Sequence, residues 1–428
     1  MAAATYEARI VDTPHAVDAT AWDALLAAQQ HPTPFMRHAY LAALHDSGSA
    51  TPRTGWAPRF MTLWERRGEH GALIAACPLY LKSHSYGEYV FDWAWASAYE
   101  QHGVPYYPKA VIAVPFTPVP GARLLARDDA SRALLLQAVC QWCEESGISS
   151  VHTLFASDAD VRTSAAQGLM LRRTVQFHWK NEVPARPAGS PGSEGAVKGL
   201  AGHGENAVGA ERFGDFGHFL ASLSQDKRKK IRQERRRVAE AGVRFRWARG
   251  GDISPADWDF FYRCYERTYL EHGNPPYLTR DFFARMAAQM PEAWVLFIAE
   301  RGGRPIASSL IAISALPQSA RGQIGDPVEA AYGRYWGALE RVDCLHFEAC
   351  YYQPLQWCID HGVQRFEGGA QGEHKMARAL LPVQATSAHW LAHPGFAEAV
   401  ERFLAREGEG VQHYLDELRE RSPFRQAG

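Results

Sequence analysis

The sequence of 428 residues lacks the features that would assign it to a membrane, secreted or broadly polyanion-binding class. No apolar stretch approaches the roughly 20 residues that a membrane-spanning helix needs. The N-terminal segment has neither a basic start nor an apolar core, so we expect no secretory leader. The seven cysteines are an odd number without a paired framework, which favours a reducing compartment, and we expect a cytoplasmic protein. A net charge of −1 argues against a surface that binds polyanions throughout.

Motifs of several familiar enzyme classes are also missing. The sequence has no nucleophile elbow, no Gly-Lys-Ser/Thr phosphate loop and no His/Cys spacing of a zinc site. Cys140 and Cys143 form the only close cysteine pair, and without a second pair of ligands we interpret them as structural thiols. We therefore expect no metal and no tightly bound cofactor. No residue is set up as a covalent nucleophile, so a reaction catalysed here is expected to proceed by direct attack, without a covalent enzyme intermediate.

What the sequence does contain is one pattern that occurs twice. Two apolar runs joined by a charged turn with Arg-Gly indicate a β-hairpin, and they occur at residues 59–81 and 294–313. An aromatic helix-like stretch precedes each hairpin, at 35–44 and 258–270, and a Trp-bearing segment predicted to be a strand follows it, at 91–100 and 332–340. Gln-Trp-Cys then recurs at 141–143 and 356–358. Four matching elements in one order indicate a duplicated domain.

The order of these elements predicts an α/β fold, an α+β arrangement on a mixed sheet. Each half gives strand, helix, antiparallel hairpin, further strand, helix and strand, and the later helix forms a crossover unit. The length suits two domains, which we assign to residues 1–183 and 213–428. Residues 184–212 are rich in Gly, Ala, Pro and Ser and are predicted to be a flexible linker or insertion, and residues 317–327 a loop elongation.

The densest group of polar residues lies in the second half, around a predicted strand that ends at Glu367. A Gly-rich turn follows it, which lets a backbone lie close to a ligand, and ligands in mixed sheets gather at such strand ends. Acyl transfer to an amine needs a base for the amine proton and donors for the oxyanion. The candidate catalytic residues are therefore Glu367, Glu373, His374 and Lys375, with His346 and Glu348 from the preceding segment.

Further candidates are polar or aromatic residues expected to line a substrate pocket. They are Lys82, His84, Asp92, Trp95, Arg334, Trp336, Tyr352 and Gln371. Asp92 stands between aromatic residues in a predicted strand, where burial would require a partner. Structural roles are the alternative: the tryptophans as core, and Lys82 with His84 as part of a polar loop.

The strongest local charge feature is the segment 227–237, which holds eight basic residues and one Glu. It is predicted to be a helix that ends at Gly242. One interpretation is a solvated helix face, and the other is contact with the phosphates of a CoA or of a tRNA backbone. The residues assigned to donor binding are Lys229, Lys230, Arg235 and Arg236.

Four stretches together resemble one known family. They are Phe-Glu-Gly-Gly-Ala-Gln-Gly-Glu-His-Lys at 366–375 and the segments 334–337, 345–348 and 82–89. They are similar to the FemAB-like predicted N-acyltransferases, and the order of elements resembles two tandem GNAT-like acyltransferase domains. The resemblance implies transfer of an acyl group from acyl-CoA, or a similar thioester, to a small-molecule or peptide amine acceptor. It gives Lys375 the role of binding substrate or stabilising charge.

In GNAT proteins a loop after the central strand holds the CoA pyrophosphate with backbone amides at a helix N-terminus. The corresponding stretch is 110–126, and it assigns Gly121 and Arg123 to the donor. The family's usual Gln/Arg-x-x-Gly-x-Gly spacing is absent, so a rigid Pro-rich connection is an equal alternative. Two other functions stay open. One is an aminoacyl-tRNA-dependent transferase, favoured by the basic segment, and the other is a ligand-binding module without catalysis.

Overall fold

The computed structural model describes residues 5–67, 70–184, 211–314, 328–370 and 372–425. The predicted loop elongation, Gln371 and nearly all of the predicted linker at 184–212 lie outside the described residues. Within these ranges the chain forms fifteen strands and twelve helices around mixed sheets, so the predicted α/β fold class is confirmed.

The bounds of the elements are as follows. The first half has β1 (Thr5–Val11), α1 (Ala19–Ala27), α2 (His38–Asp46), β2 (Trp56–Pro58), β3 (Phe60–Arg67), β4 (His70–Cys77), β5 (Leu79–Lys82), α3 (Trp93–Gln101), β6 (Lys109–Ile112), β7 (Leu125–Ala126), α4 (Asp129–Glu145), β8 (Ser150–Ala156), α5 (Asp158–Ala166) and β9 (Met170–Lys180). The second half has α6 (Phe216–Ser222), α7 (Gln225–Glu240), β10 (Val243–Arg249), α8 (Pro255–Glu271), α9 (Arg280–Gln289), β11 (Trp294–Arg301), β12 (Arg304–Ile313), β13 (Ala330–Ala338), α10 (Leu345–Phe347), a π-helix (Glu348–Tyr352), α11 (Gln353–Asp360), β14 (Arg365–Glu367), β15 (Leu381–Leu391) and α12 (Pro394–Glu420).

One large sheet runs through both halves. In the part of the chain that is described, it has eleven strands in the order β10-β11-β12-β13-β14-β9-β15-β8-β6-β5-β2, beside a four-stranded sheet β1-β3-β4-β7. Strand β9 of the first half pairs with β14 and β15, and β15 in turn pairs with β8. Each half therefore gives its last strand to the other. The domain boundaries at 183 and 213 stay a prediction.

The repeated elements of the sequence largely appear where they were predicted. Both hairpins are confirmed as β3–β4 and β11–β12. The aromatic stretch 35–44 overlaps α2, the stretch 258–270 lies within α8, and most of 332–340 is β13. The prediction of a strand at 91–100 is wrong, because most of this segment forms helix α3. Trp93 and Trp95 lie two residues apart, as side chains on one face of a strand do. The alanines between and after them, however, are strong helix formers. Trp95 and Tyr99, one helical turn apart, bury one face of α3.

Helix α8 packs tightly on the centre of the second half. Its Phe261 and Tyr265 contact the ring of Tyr335 on β13, with ring centroids 6.3 Å and 5.4 Å away. A Cβ at Gly337 would lie 1.9 Å from the carbonyl oxygen of Cys264. Only glycine therefore lets α8 come this close to β13, which fixes the strand that borders the site described below.

The predicted basic helix is confirmed as α7. Its inward face is formed by Ile231, Glu234 and Val238, at the three- and four-residue spacing of one helix face. Gly242 follows the helix with a φ of 74°, the left-handed conformation that commonly ends a helix. Because the inward face uses only these positions, most of the cations of α7 point to solvent.

Candidate active site

A cavity lies where two parallel strands of the second half part. Strands β13 and β14 pair from Ala330 with Arg365 to Tyr332 with Glu367. Beyond these pairs a cavity of about 160 Å³ opens between β12, β13, the end of β14 and the segment from α10 to the π-helix. Its walls include Arg334, Trp336, His346, Cys350, Tyr351 and Phe366. The structure thus brings together three residues predicted from the sequence, Arg334, Trp336 and His346.

A bulge and two glycines shape this opening. The ladder between β12 and β13 shifts register at Arg334, which is an extra residue on its strand. A Cβ at Gly333 would lie 2.9 Å from the ring of Phe366, and a Cβ at Gly368 would lie 2.3 Å from Leu380. The cavity therefore depends on glycine at both positions, because larger residues would displace its walls.

His346 forms part of the cavity wall from helix α10. Its ring centroid lies 5.5 Å from that of Trp336 and 5.8 Å from that of Tyr351. Burial, aided by nearby positive groups, lowers the pKa of His346 to about 4. The imidazole is therefore neutral at pH 7 and able to accept a proton or a hydrogen bond.

The Gly-rich turn after β14 carries His374 and Lys375. The hydroxyl of Tyr351 lies 3.2 Å from Nε2 of the exposed His374, whose pKa is lowered by partial burial and by nearby cations. Nζ of Lys375 donates to the carbonyl oxygens of Gly368 at 2.7 Å and Ala370 at 2.8 Å. Burial lowers the pKa of Lys375 to about 8. Lys375 therefore holds the turn that borders the cavity.

A buried ion pair joins this turn to the basic helix. Arg378 donates to Glu234 at 2.7 Å and to the carbonyl oxygen of His374 at 2.6 Å, and the Tyr352 hydroxyl also donates to Glu234. The Arg378 guanidinium lies 3.7 Å from the ring centroid of Phe347. Tyr352, assigned to a pocket from the sequence, is part of this network. Arg378 and Glu234 were missed, although a single Glu within a basic segment was an available signal.

Glu348 and Arg235 bind each other. Nε of Arg235 lies 3.1 Å from Oε1 and 3.2 Å from Oε2 of Glu348, and Gln353 donates to the same carboxylate at 2.7 Å. Glu348 is only 3% exposed. The structure thus gives both residues a partner in the packing of α7 on the π-helix, and it places neither of them on the cavity wall.

The other cations of α7 assigned to a donor are exposed. Lys229 and Lys230 have no acidic partner within 4.0 Å in the described ranges, and Arg236 reaches Glu240 at 3.6 Å on the helix surface. Lys230 is near enough to His374 to lower its pKa. Lys230 is therefore the exposed cation of α7 that the structure places near the turn beside the cavity.

Glu367 and Glu373 lie away from the cavity. Successive residues of a strand face opposite sides of the sheet, so Glu367 faces away from the cavity that Phe366 lines. Glu367 accepts from Nε of Arg365 at 3.1 Å and borders a groove of about 770 Å³. Glu373 is exposed. Neither Glu367 nor Lys375 is among the residues that line the cavity, and their assignment to catalysis stays a prediction.

The loop of the first half that was compared with a phosphate loop is closed. Arg123 is 1% exposed, and its Nε donates to the carbonyl oxygen of Leu154 at 2.9 Å. Its backbone amide donates to Asp160 at 2.6 Å. Gly121 forms a parallel bridge with Ala156 at the end of β8. The donor groups of Arg123 are thus used inside the protein and are not presented to a phosphate.

Asp92 belongs to a buried charge network in the first half. Lys109 donates to Glu88 at 2.8 Å and to Asp92, and the Tyr106 hydroxyl donates to Asp92 at 2.6 Å. Burial raises the pKa of Glu88 to about 7. Burial alone would raise the pKa of Asp92, but the Lys109 ammonium holds it well below its usual value. Lys109 and Tyr106 were not identified from the sequence, because the segment that carries them contacts Asp92 only in the folded chain.

The other residues assigned to a pocket in the first half lie beside this network. Nζ of Lys82 lies 3.7 Å from the ring centroid of Trp56 and donates to the carbonyl oxygen of Tyr86 at 3.1 Å. Burial lowers the pKa of Lys82 to about 7. The amide of Tyr86 donates to the partly exposed His84 at 3.2 Å, and Trp95 is buried in α3. These contacts fix the loop that follows β5.

The described residues lack both a cluster of metal ligands and a membrane-spanning helix. They contain no group of three or more His, Cys, Asp or Glu side chains that is arranged to hold a metal ion. None of their helices is both long and apolar enough to cross a membrane.

Comparison with known proteins found one family. The model of the FemAB-like family, described as peptidoglycan biosynthesis/recognition, matches residues 13–186 and 206–426. Similar solved structures include a tandem GNAT protein from the clavulanic acid biosynthesis pathway, with 12% identity, 91% of this chain and 99% of that chain covered, and a TM-score of 0.42. Another is L-PGS from Bacillus licheniformis, with 9% identity, 85% and 95% covered, and a TM-score of 0.43. No curated protein matched.

Proposed function

This chain belongs to the FemAB-like family, and we propose that it is an acyl- or aminoacyltransferase in which an amine attacks a bound donor directly. The reaction centre is the cavity between β13 and β14. The observation that carries this proposal is the parting of two parallel strands beside a neutral histidine and a helix with exposed cations.

The walls of the cavity offer the groups that acyl transfer requires. The bulge at Arg334 interrupts the strand ladder, and a bulged residue leaves backbone groups free of their strand partner. We assign an amide of this bulge to the developing oxyanion, because fixed donors stabilise that charge most when they are already oriented. His346 supplies a neutral base on the same cavity.

The chemical step is a single displacement at the donor carbonyl. The amine nitrogen attacks the carbonyl carbon, the C–N bond forms, and the C–S bond of a thioester, or the C–O bond of an ester, breaks. Attack makes the amine proton acidic, so the weakly basic His346 suffices to take it. That proton is then available to the leaving thiolate or alkoxide, and the products are an amide and a thiol or an alcohol.

The donor enters from the side of α7. Lys229 and Lys230 are exposed cations without an acidic partner among the described residues. The charge of Lys230 helps to lower the pKa of His374 beside the cavity. Phosphate groups bind such a face by displacing its counterions. We propose acyl-CoA, or a similar thioester with a phosphorylated carrier, as the donor. CoA is then a co-substrate and not a resident cofactor.

An aminoacyl-tRNA is the second candidate donor. Helix α7 has 16 residues and is therefore about 24 Å long. Its exposed cations continue along that length to Arg237, farther than the pyrophosphate of one CoA extends. A longer polyanion uses more of this face, and this observation supports an RNA carrier.

Turnover with each donor tests the proposal and separates it from a binding module without catalysis. Full-length protein is mixed with acetyl-CoA and a set of small amines, and thiol release is followed. A parallel reaction uses aminoacylated tRNA and follows loss of the ester. We expect His346→Ala to lower turnover about a hundredfold or more with donor binding kept, as for a general base.

His361→Ala is the matched control for His346→Ala. His361 stacks on Trp357 with ring centroids 4.2 Å apart and does not line the cavity. The His361→Ala variant should keep a turnover within about threefold of that of the parent. Equal losses in both variants, or a folded His346→Ala with full turnover, would place the reaction elsewhere in the molecule.

A further inference from the structure

Arg334 is a cation at the cavity wall that has no anion beside it. Its Nη2 donates to the carbonyl oxygen of Phe116 at 2.9 Å, and its guanidinium lies 5.1 Å from the ring centroid of Tyr335. Its Nε is buried without a hydrogen-bond partner. No carboxylate in the described ranges lies within 4.0 Å of it. A guanidinium fork whose neighbours are a neutral carbonyl oxygen and aromatic rings is suited to receive a carboxylate or a phosphate.

A loop of the first half with exposed aromatic rings lies next to Arg334. Tyr86, Tyr89, Phe91 and Trp93 are 59%, 38%, 60% and 40% exposed. The carbonyl oxygen of Gly87 accepts from the amide of Phe116 at 3.2 Å, so the loop sits on the residue that holds the Arg334 side chain. Soluble surfaces seldom expose four large rings in one short segment without a ligand to contact them.

The same loop is held firmly from beneath. Lys109 binds Glu88 and Asp92, and Lys82 binds the carbonyl oxygen of Tyr86. Buried ion pairs restrict the conformation of a segment, although one carboxylate oxygen of Glu88 and one of Asp92 lack a hydrogen-bond partner among the described residues. The exposed rings therefore form an oriented surface beside Arg334.

We propose that Arg334 receives an anionic group of the acceptor, so that the acceptor is an amine which also carries a carboxylate or a phosphate. The aromatic rings of residues 86–93 border the uncharged part of the same molecule. This inference rests on the proposed transferase function, since it names the second substrate of that site.

The position of Arg334 assigns it to the acceptor rather than to the donor. Its guanidinium lies beside Phe35 and Tyr335, in the core shared with the first half. Trp336, the next residue but one, packs instead with Val238 of α7. Donor phosphates on α7 and an anion on Arg334 therefore approach the cavity from opposite faces of the sheet, as two substrates that react with each other must.

Calorimetric titration of the full chain without a donor tests this. Alanylalanine is compared with its C-terminal amide, and phosphoethanolamine with ethanolamine, so that the two arms distinguish a carboxylate from a phosphate. In the wild type the charged member of at least one pair should bind about tenfold or more tightly than its neutral partner. Arg334→Gln should abolish that preference, and Arg334→Lys should keep part of it.

Arg402→Gln is the control, because Arg402 is an exposed arginine of α12 that pairs only with Glu398 in the same helix. A wild type that binds charged and neutral members equally, or binds neither, overturns the inference. Retention of the preference by Arg334→Gln overturns it too. Should that variant not fold, the wild-type comparison decides alone.

The two proposals fail in different ways. A wild-type preference for anionic amines, without transfer from either acetyl-CoA or aminoacyl-tRNA, would keep the binding site and remove the proposed function. Transfer to neutral amines as fast as to anionic ones would keep the function and remove the role of Arg334.

Discussion

The two halves of the sheet carry the same parallel strand pair but differ in what lies beside it. In the second half β13 and β14 part beyond their paired residues and leave a cavity. In the first half β6 and β8 also pair in parallel, but Gly121 bridges onward to Ala156 and the side chain of Arg123 is buried there. The second half, which leaves a cavity between its strands, is called the open half. The first half is called the closed half, because the buried Arg123 and the bridge from Gly121 to Ala156 take that place, although Gly121 and Ala156 also border the groove of about 770 Å³.

Each half has buried cations that bind carboxylates and buried cations that bind backbone carbonyl oxygens. In the first half Lys109 binds two carboxylates, whereas Lys82 and Arg123 donate to carbonyl oxygens. In the second half Arg378 binds Glu234, whereas Arg334 and Lys375 donate to carbonyl oxygens. A cation with an anionic partner has little charge to offer a substrate, whereas one without an anion can bind an incoming charge. What distinguishes Arg334 is that it is a residue of the cavity wall.

The largest expected effect tests the closed half. Arg123→Met removes the hydrogen bonds to the carbonyl oxygens of Val119 and Leu154 and leaves both buried without a donor. The free energy of unfolding should fall by about 3 kcal/mol, measured by urea denaturation. Turnover per folded molecule should stay the same. The control Arg127→Met, at a half-exposed position, should change stability by less than about 1 kcal/mol.

A folded Arg123→Met variant with impaired turnover would break the comparison. It would show that the first half takes part in the reaction after all, as the assignment of Gly121 and Arg123 to the donor assumed.

The second prediction compares the two faces of β14. Glu367→Gln should lower turnover by about tenfold, and His346→Ala by about a hundredfold or more. The difference is expected because Glu367 binds Arg365 on the groove side, whereas His346 lines the cavity. Steady-state kinetics with a fixed donor measures both. A larger loss for Glu367→Gln would move the base to the groove.

Local elements could be predicted from the sequence because their signals are local. The hairpins β3–β4 and β11–β12 follow from apolar runs around a Gly-containing turn, and α7 follows from its uninterrupted charged segment. Family membership could be predicted as well, since the motif from Phe366 to Lys375 is distinctive.

Long-range pairing could not be predicted. The exchange of β9 and β15 depends on the pairing of strands that are far apart in the sequence. An apolar pattern predicts a strand but does not identify its neighbours in the sheet. The face of Glu367 was undetermined because β14 has only three residues, too few to show an alternation. Lys109 gave no signal, since its partners Glu88 and Asp92 belong to an irregular loop. Arg334 was found as a candidate, but the lack of an anion beside it is visible only in the fold.

The third prediction tests whether the open half is the half that binds the donor. Lys229→Glu, Lys230→Glu and Arg236→Glu together should weaken donor binding about tenfold at low salt and flatten its salt dependence, because phosphate contacts release counterions. Folding should survive, since exposed charges contribute little stability. The control reverses Arg402, Arg406 and Arg419 on α12. Unchanged donor affinity after reversal on α7 would make its cations a solvated face.

The smallest expected effect concerns Lys375, the buried cation of the open half. Burial lowers its pKa from 10.5 to about 8 in the folded protein. Between these values the unfolded chain keeps the proton that the folded chain has released, so the free energy of unfolding contributed by this group rises with pH. Below pH 8 both states are protonated and the burial of the charge opposes folding. The free energy of unfolding of the wild type minus that of the Lys375→Met variant should therefore rise by about 1 kcal/mol between pH 8 and 9.

Subtracting the Lys375→Met variant removes the contribution of Lys82, which titrates in the same direction from a pKa of about 7 and is present in both proteins. Urea denaturation at pH 7 to 9.5 gives the difference, and Lys180→Met, at an exposed position, should show no such rise. A flat difference for Lys375→Met would mean that the carbonyl oxygens of Gly368 and Ala370 keep its Nζ charged throughout. The open half would then hold a permanent cation beside its cavity, unlike Lys109 of the closed half, whose charge is balanced by Glu88 and Asp92.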